Sequence, residues 1–235
     1  MLILGIETSG QRGSVALCRD EEVLEVLRFP KGGRHARDIM QAVERVVERA
    51  RVSKDDVEAV AVSEGPGSFT GLRVGVTCAK TLAHVLGWQA VGVPSLEVLV
   101  ENVDAEATGC AAACPLRDAR RHFVYGTVFE HEGGRWVDRT GVMAGAPEEV
   151  LARIPAGALV FGSGVKAYPE VFEAARGARL RVGEDELAEG RAEHVARLGL
   201  ARLREGKAAP PMQLLARYYR RTEAEEKLSG RGATV

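Results

Sequence analysis

Residues 2–18 read LILGIETSGQRGSVALC, and this stretch sets the fold of the first half of the chain. Leu2–Ile6 is a short, continuous apolar run, which is typical of a central strand buried on both faces. Glu7 ends the run, a glycine-containing turn follows, and Ser14–Cys18 predicts a second strand. Val23–Phe29 alternates as a third strand does. The chain is therefore predicted to open with a strand meander.

Helices and strands alternate after this meander. Residues 34–50 place apolar side chains on one face at the helical repeat, which predicts an amphipathic helix. Ala59–Val62 and Gln89–Val93 are predicted strands, and helices are predicted over Leu72–Leu86 and Pro94–Asn102. The order β-β-β-α-β-α-β-α indicates an α/β fold.

The second half of the chain repeats the opening pattern in a weaker form. Ala111–Leu116 is an apolar run, Asp118 follows it, and Phe123–Phe129 predicts the returning strand. Such an internal duplication is typical of a two-lobed fold of the actin or sugar-kinase type, in which each lobe directs a hairpin toward nucleotide phosphates. Many other α/β chains place an acidic residue at a strand end, so pattern alone leaves this interpretation open.

Three segments are predicted from this pattern. Residues 1–103 form an N-terminal lobe, and residues 104–210 form a C-terminal lobe that includes a predicted helix over Ala192–Arg204. Residues 211–235 are predicted to be a C-terminal helix and tail that pack back on the N-terminal lobe, with the helix spanning much of Leu214–Lys227.

Composition excludes several classes of protein. The 235 residues carry a formal net charge of -1, which gives no support for a nucleic-acid-binding protein. No apolar run is long enough for a signal peptide or a membrane span, so we expect a cytoplasmic protein without membrane contact. The cysteines lack the paired spacing of a zinc site, and we expect reduced, buried thiols at Cys18, Cys78, Cys110 and Cys114.

Residues 65–75, GPGSFTGLRVG, are the most specific segment. A glycine-rich loop before a helix can bind an anion, but this one lacks the GK[ST] of a Walker loop and the glycine spacing of a dinucleotide fingerprint. The helix that follows is apolar on two sides. It is therefore either an inner helix or a helix packed against another subunit. Gly71 and Gly75 would let a neighbouring helix come close.

Motifs along nearly the whole chain resemble those of the TsaB (YeaZ) family. They are ILGIETS at 3–9, RHARDIM at 34–40, GPGSFTGLRVG at 65–75, VGVPSLEVL at 91–99, DAR at 118–120 and RYYRRTEAEEK at 217–227. The resemblance implies an ASKHA (actin, sugar-kinase and Hsp70-like) fold with a duplicated sheet and helix core. It also implies a role with TsaC, TsaD and TsaE in placing a threonylcarbamoyl group on the adenosine next to the anticodon of ANN-decoding tRNAs.

In this family the paralogue TsaD carries the transfer chemistry, so the resemblance implies a non-catalytic scaffold and activating subunit with no catalytic residue. TsaD-like proteins bind a metal through H-x-x-x-H on the helix after the VGV-type strand, where this chain has Ser95 and Leu99. We therefore expect no metal and no cofactor on this chain alone. We expect ATP and magnesium only in the assembled complex.

The inter-lobe cleft leaves a second function open, that of an independent ATP-dependent phosphotransferase of the sugar-kinase type. Glu7, Thr8 and Asp118 would serve a magnesium–phosphate group if the cleft held a nucleotide. Glu7 stands where many family members have Asp, and the first hairpin shows no convincing phosphate loop. A vestigial cleft is the favoured interpretation. A metallopeptidase is disfavoured because both histidines of the H-x-x-x-H motif are missing.

The family also implies a partner interface on the first two helices, formed with TsaD or, in its absence, with a second copy of the chain. A TsaE-like ATPase is a further expected partner, and tRNA is expected to be contacted indirectly. On this hypothesis Val76→Glu breaks pairing and leaves the fold intact. The residues assigned to the interface are His35, Ile39, Met40, Val43, Val47, Phe69, Leu72, Val76, Ala79 and Ala83.

Overall fold

The N-terminal sheet contains the strands β1 (Leu2–Glu7), β2 (Ser14–Arg19), β3 (Glu22–Arg28), β4 (Ala59–Gly65) and β5 (Gln89–Pro94). The structure is a computed structural model that describes residues 1–30, 35–177 and 179–219. The strand order is β3-β2-β1-β4-β5, antiparallel across the first three strands and parallel from β1 to β5. β1 is buried along its whole length, as its continuous apolar run predicts.

The C-terminal sheet repeats this topology. Its strands are β6 (Ala112–Asp118), β7 (Val124–Gly126), β8 (Phe129–Glu132), β9 (Arg135–Asp138), β10 (Met143–Gly145), β11 (Leu159–Phe161) and β12 (Arg181–Val182). The order β10-β7-β6-β11-β12 has the same sequence of antiparallel and parallel pairings as the first sheet. Glu7 and Asp118 are the last residues of the two equivalent strands, β1 and β6. The predicted duplication is confirmed.

Helices cover both faces of the N-terminal sheet. None of the helices in the described ranges is long and apolar enough to cross a membrane. Short 3₁₀ turns lie at Lys54–Asp56, Asp185–Ala188 and Pro211–Gln213. The α-helices are α1 (His35–Arg49), α2 (Phe69–Leu86), α3 (Ser95–Val100), α4 (Ala105–Thr108), α5 (Pro147–Ala152), α6 (Ser163–Ala167), α7 (Pro169–Phe172) and α8 (Ala192–Arg204).

The position of α8 corrects the predicted lobe boundary at residue 210. α8 packs on the N-terminal sheet, where Val195 and Leu200 join a core cluster with Ile3 and Val91. A Cβ atom at Gly199 would lie only 2.3 Å from the Cβ of Ala61, so the helix approaches the sheet closely. The predicted boundary was wrong because an apolar helix face indicates that the helix packs on a sheet, but it does not identify which of the two sheets.

One core cluster joins the two lobes. Leu96 and Leu99 of α3 pack together with Ala113, Phe129 and Phe161 of the C-terminal lobe. This cluster crosses the predicted boundary between residues 103 and 104. Because protein cores are close-packed, shared packing of this kind opposes rigid-body opening of the cleft.

The chain after α8 departs from the predicted helix over much of Leu214–Lys227. Residues 214–219 are not helical, and residues 220–227 lie outside the described residues. Residues 209–219, which we call the C-terminal strap, run along the N-terminal lobe from a bridge between Ala209 and Ala90 of β5. Successive side chains of an extended segment point to opposite sides, and here Leu214 is buried whereas Leu215 is exposed.

His194 of α8 makes the stability of the folded protein sensitive to acid. The residue is only 9% exposed, and burial, followed by repulsion from Arg197, Arg191 and Arg28, lowers its pKa from 6.5 to about 4. Above pH 6.5 the imidazole is neutral in both the folded and the unfolded state. As the pH falls from 6.5 to 4, the unfolded state takes up the proton first, and stability is lost.

We therefore expect wild-type protein to lose about 3 kcal/mol more unfolding free energy between pH 7.5 and pH 4 than a His194→Gln variant does. Urea denaturation of both proteins at several pH values measures this difference. Equal pH dependence of the two proteins would show that His194 is not held neutral by the fold.

Candidate partner surface and inter-lobe cleft

The turn between β1 and β2 forms the floor of the inter-lobe cleft. Glu7 and Thr8 are fully buried there. The Ser9 N–H donates to Glu7 Oε1 at 2.5 Å. Gly190 makes room for this carboxyl group, because a Cβ atom at position 190 would lie 2.7 Å from Glu7 Cδ.

Arg117 crosses the cleft from β6 of the C-terminal lobe. It is 5% exposed, and its Nη2 donates to the Ser9 hydroxyl at 2.9 Å. Burial lowers the pKa of Arg117, and the Glu7 carboxylate opposes that shift. Glu7 Oε2, Thr8 Oγ1 and Arg117 Nε are buried without a hydrogen-bond partner in the described part of the chain. The Arg117 guanidinium thus lies where the two lobes meet.

The residues predicted for a magnesium–phosphate group have separate hydrogen-bond partners. Glu7 and Thr8 lie together at the β1–β2 turn, whereas Asp118 Oδ1 accepts hydrogen bonds from the Arg120 N–H at 2.8 Å and the Tyr168 hydroxyl at 3.3 Å. A buried guanidinium beside Glu7 repels a divalent cation. Glu7, Thr8 and Asp118 therefore do not fit a magnesium–phosphate group. Sequence reasoning missed Arg117, although an arginine at the end of the apolar run of β6 was a visible signal.

Three glycines of residues 65–75, at positions 67, 71 and 75, allow the loop and α2 to pack closely against the β1–β2 turn. Cβ atoms at Gly71 and Gly75 would lie 2.1 Å from the Thr8 carbonyl oxygen and 2.2 Å from the Thr8 hydroxyl, respectively. The Ser68 N–H donates to the Ser9 carbonyl at 2.8 Å. The neighbour that approaches these glycines is thus the hairpin turn of the same lobe, rather than the second helix that their spacing suggested.

Gly71→Ala is expected to destabilise the protein by about 2–3 kcal/mol, because the new methyl group meets a backbone oxygen that side-chain repacking cannot move. This loss outweighs the gain of about 1 kcal/mol from alanine's helix propensity. Thermal denaturation checks it, with Thr77→Ala on the exposed side of α2 as the control. A wild-type melting temperature for Gly71→Ala would contradict the close approach.

Most of the residues assigned to a partner interface lie inside the protein's own core, and those assignments need correction. On the second apolar side of α2, Cys78 and Leu82 are buried in the core cluster that α1 and the sheet share, whereas Val85 at the end of the helix is exposed. The side chain of His35 lies outside the described part of the chain. Val47 is half-buried, and the buried residues are Ile39, Val43, Leu72, Val76, Ala79 and Ala83.

The exposed apolar side chains concentrate on α1, α2 and the strap. Of the eight large hydrophobic side chains that are exposed in the described residues, Val23 alone lies elsewhere. Monomeric proteins seldom expose a large contiguous apolar patch without a function for it. Two of the assigned interface residues are exposed here, and the complete group is Met40, Phe69, Val85, Met212, Leu215, Tyr218 and Tyr219.

The relatives of this chain agree with its motifs. A TsaB protein of Bacillus subtilis, named for tRNA threonylcarbamoyladenosine biosynthesis, is 32% identical over 231 residues, covering 97% of each chain. The chain belongs to the TsaB family. The Escherichia coli TsaB protein is 28% identical over 98% of this chain and 100% of its own length. A family model described as TsaD, the tRNA N6-adenosine threonylcarbamoyltransferase, matches residues 32–227, so the chain is also related to that enzyme.

A solved structure supports the fold. YeaZ from Pseudomonas aeruginosa superposes with a TM-score of 0.78 at 23% identity, covering 92% of this chain and 100% of that one. Together with the duplicated sheet topology, this confirms the two-lobed ASKHA fold that the motifs implied.

The two positions that align with the H-x-x-x-H motif serve packing. The Ser95 hydroxyl accepts a hydrogen bond from the Gly65 N–H at 3.0 Å, and Leu99 is fully buried in the cluster that joins the lobes. Within the described ranges, no three His, Cys, Asp or Glu side chains are grouped so that they could hold a metal ion.

The four cysteines are buried and form no disulfide, and burial raises the pKa of Cys18 and Cys78 to about 11.

Proposed function

We propose that this chain acts in tRNA threonylcarbamoyladenosine biosynthesis as a non-catalytic scaffold and activating subunit. It pairs with a TsaD-like paralogue and supports threonylcarbamoyl transfer to the adenosine next to the anticodon of ANN-decoding tRNAs. Near full-length relationship to proteins named TsaB supports the pathway. The observation that carries the pairing is the concentration of exposed apolar side chains on α1, α2 and the strap.

Two features support a non-catalytic role. Arg117 occupies the meeting point of the lobes, where a phosphotransferase of this fold needs a metal and phosphates. Shared packing around Leu96 and Leu99 opposes the opening that nucleotide exchange requires. The independent sugar-kinase alternative is therefore disfavoured, and we propose that the chain alone binds no cofactor and that ATP and magnesium act in the assembled complex.

The other partners follow from the same proposal. A TsaE-like ATPase joins the pair, and the chain forms a homodimer through the same surface when the paralogue is absent. Contact with tRNA is indirect, in keeping with the formal net charge of -1. The complex acts in the cytoplasm.

Reconstitution tests the proposal. TsaC, TsaD, TsaE, ATP and tRNA are assayed for modification with and without this chain, and the chain alone is assayed for ATP hydrolysis. We expect modification to require the chain and the isolated chain to hydrolyse no ATP. Modification that is unchanged by omission of the chain would refute the scaffold role. Turnover of ATP by the chain alone would favour the phosphotransferase.

A further inference from the structure

The C-terminal strap is attached to the N-terminal lobe by few contacts. Leu214 is its only buried residue. The Ala209 N–H donates to the Ala90 carbonyl oxygen at 2.8 Å, and the Arg217 N–H donates to the Glu64 carbonyl oxygen at 2.7 Å. Segments with few buried apolar contacts can open locally while the rest of a domain stays folded. The strap has the features of such a segment.

The strap covers the buried start of the glycine-rich loop. Gly65 is buried, and a Cβ atom there would lie 2.6 Å from the Arg217 carbonyl oxygen and 3.2 Å from Leu72 Cδ1. Leu214 reaches the neighbouring strand β5, because a Cβ atom at Gly92 would lie 3.3 Å from Leu214 Cδ1. Opening of the strap would therefore expose the end of β4 and the start of the loop to water.

A carboxyl group is buried beneath the strap. Glu64 is 6% exposed near the end of β4. Its Oε2 lies in the space left by the missing side chain of Gly92, 2.1 Å from where a Cβ atom would be. Arg217 Nε pairs with Glu64 Oε1 at 2.9 Å, although the Arg217 side chain is 61% exposed. In the described part of the chain, Arg217 is the only cation that pairs with this carboxylate.

Charged groups from three elements face the Glu64 carboxyl group. They are Arg217 of the strap, Arg202 of α8 and Glu97 of α3. Arg202 is itself paired with Glu97 at 2.6 Å. Burial raises the pKa of Glu64, and the two arginines offset this effect only in part. For the ionised group, the loss of hydration thus outweighs the attraction to the arginines.

We propose that the strap is a releasable cover of the glycine-rich loop, and that Glu64 favours its release because the carboxylate regains its hydration when the strap opens. The released carboxyl group has its ordinary pKa, which is lower than that of the attached state. As the pH falls, the attached state therefore takes up the proton first, and acid favours attachment. The inference concerns the chain alone and does not rest on the proposed pairing.

Hydrogen exchange of the residue 217 amide, followed by NMR on the full-length chain at pH 7, tests this proposal. Amides of β1 report unfolding of the whole lobe in the same sample, and we expect residue 217 to exchange faster than they do. Glu64→Gln is expected to slow exchange at residue 217 at least ~5-fold, because the attached strap then buries no charge. Arg217→Met is expected to speed it, because the carboxylate loses its cation.

A control variant and a change of pH sharpen the test. Glu25→Gln removes the carboxylate of an ion pair with Arg49 on β3, at the opposite edge of the sheet from the strap, and wild-type exchange at residue 217 is expected. Lowering the pH from 7 to 5 is expected to reduce opening of the strap in wild type relative to Glu64→Gln. Both proteins carry His194, so their difference isolates Glu64.

The opposite effects of the two strap variants would support the inference, since a pair that only holds the strap in place predicts faster exchange in both. Unchanged or faster exchange at residue 217 in Glu64→Gln would overturn it. Exchange of wild-type residue 217 at the rate of the β1 amides would also overturn it, because the strap would then open only when the whole lobe unfolds.

Discussion

Val76→Glu is expected to destabilise the N-terminal lobe strongly, rather than to yield a chain of wild-type stability that has lost its partner. Val76 is 5% exposed and belongs to the cluster between α1, α2 and the sheet. A carboxylate at this position loses its hydration and finds no cation. The cost is about 3–5 kcal/mol, as for other unpaired buried charges. That is a large fraction of the roughly 5–15 kcal/mol by which domains are stable.

Circular dichroism and urea denaturation of the purified variant measure this effect. Val85→Glu is a matched control, because it makes the same change on the same helix at a residue that is 71% exposed. We expect Val85→Glu to keep the wild-type spectrum and unfolding midpoint. A native spectrum with a wild-type midpoint for Val76→Glu would place Val76 on the surface and restore its assignment to the interface.

Arg117→Met is expected to destabilise the protein by about 3 kcal/mol. The substitution removes the hydrogen bond to Ser9 and the cation that faces the buried Glu7 carboxylate. The Glu7 carboxyl group is then left buried without a compensating group. A second change, Glu7→Gln, removes that charge and is expected to restore part of the lost stability.

A double-mutant cycle over these two sites measures the coupling, which we expect to be about 1–3 kcal/mol. Arg153→Met, which removes an exposed arginine at the end of α5, is the control and should change stability by no more than ~0.5 kcal/mol. Independent, additive effects of Arg117→Met and Glu7→Gln would mean that the guanidinium does not compensate the carboxylate.

The strands and the duplication were predictable because they follow from local patterns. A continuous apolar run indicates a strand buried on both faces, and two such runs ending at Glu7 and Asp118 indicated the repeated hairpin. The boundaries of α2 and α8 agreed with the sequence to within a few residues for the same reason. The helix predicted after Leu214 was wrong over residues 214–219, because contacts with Glu64 and Phe69 hold that segment extended.

The candidate site was less predictable, because a side chain's neighbours are decided by distant parts of the chain. A helix that is apolar on two sides looks the same in sequence whether its second side meets α1 or another subunit, and so Val76 was placed on a surface. The same limit applies to the spacing of Gly71 and Gly75, since a short side chain allows close approach without identifying what approaches. Arg117 was recognisable in the sequence as a charged residue after an apolar run, but its hydrogen-bond partner Ser9 is 108 residues away and was not.

The sequence by itself determined the family, the α/β class and the duplicated hairpins of this protein, because strand periodicity and the GPGSFTGLRVG segment are local properties of the chain. The tertiary structure alone decided which apolar side chains remain outside, since burial depends on how α1, α2, α8 and the strap pack on one sheet. It also placed the Arg117 guanidinium between the lobes, because only folding brings the end of β6 beside the turn after β1.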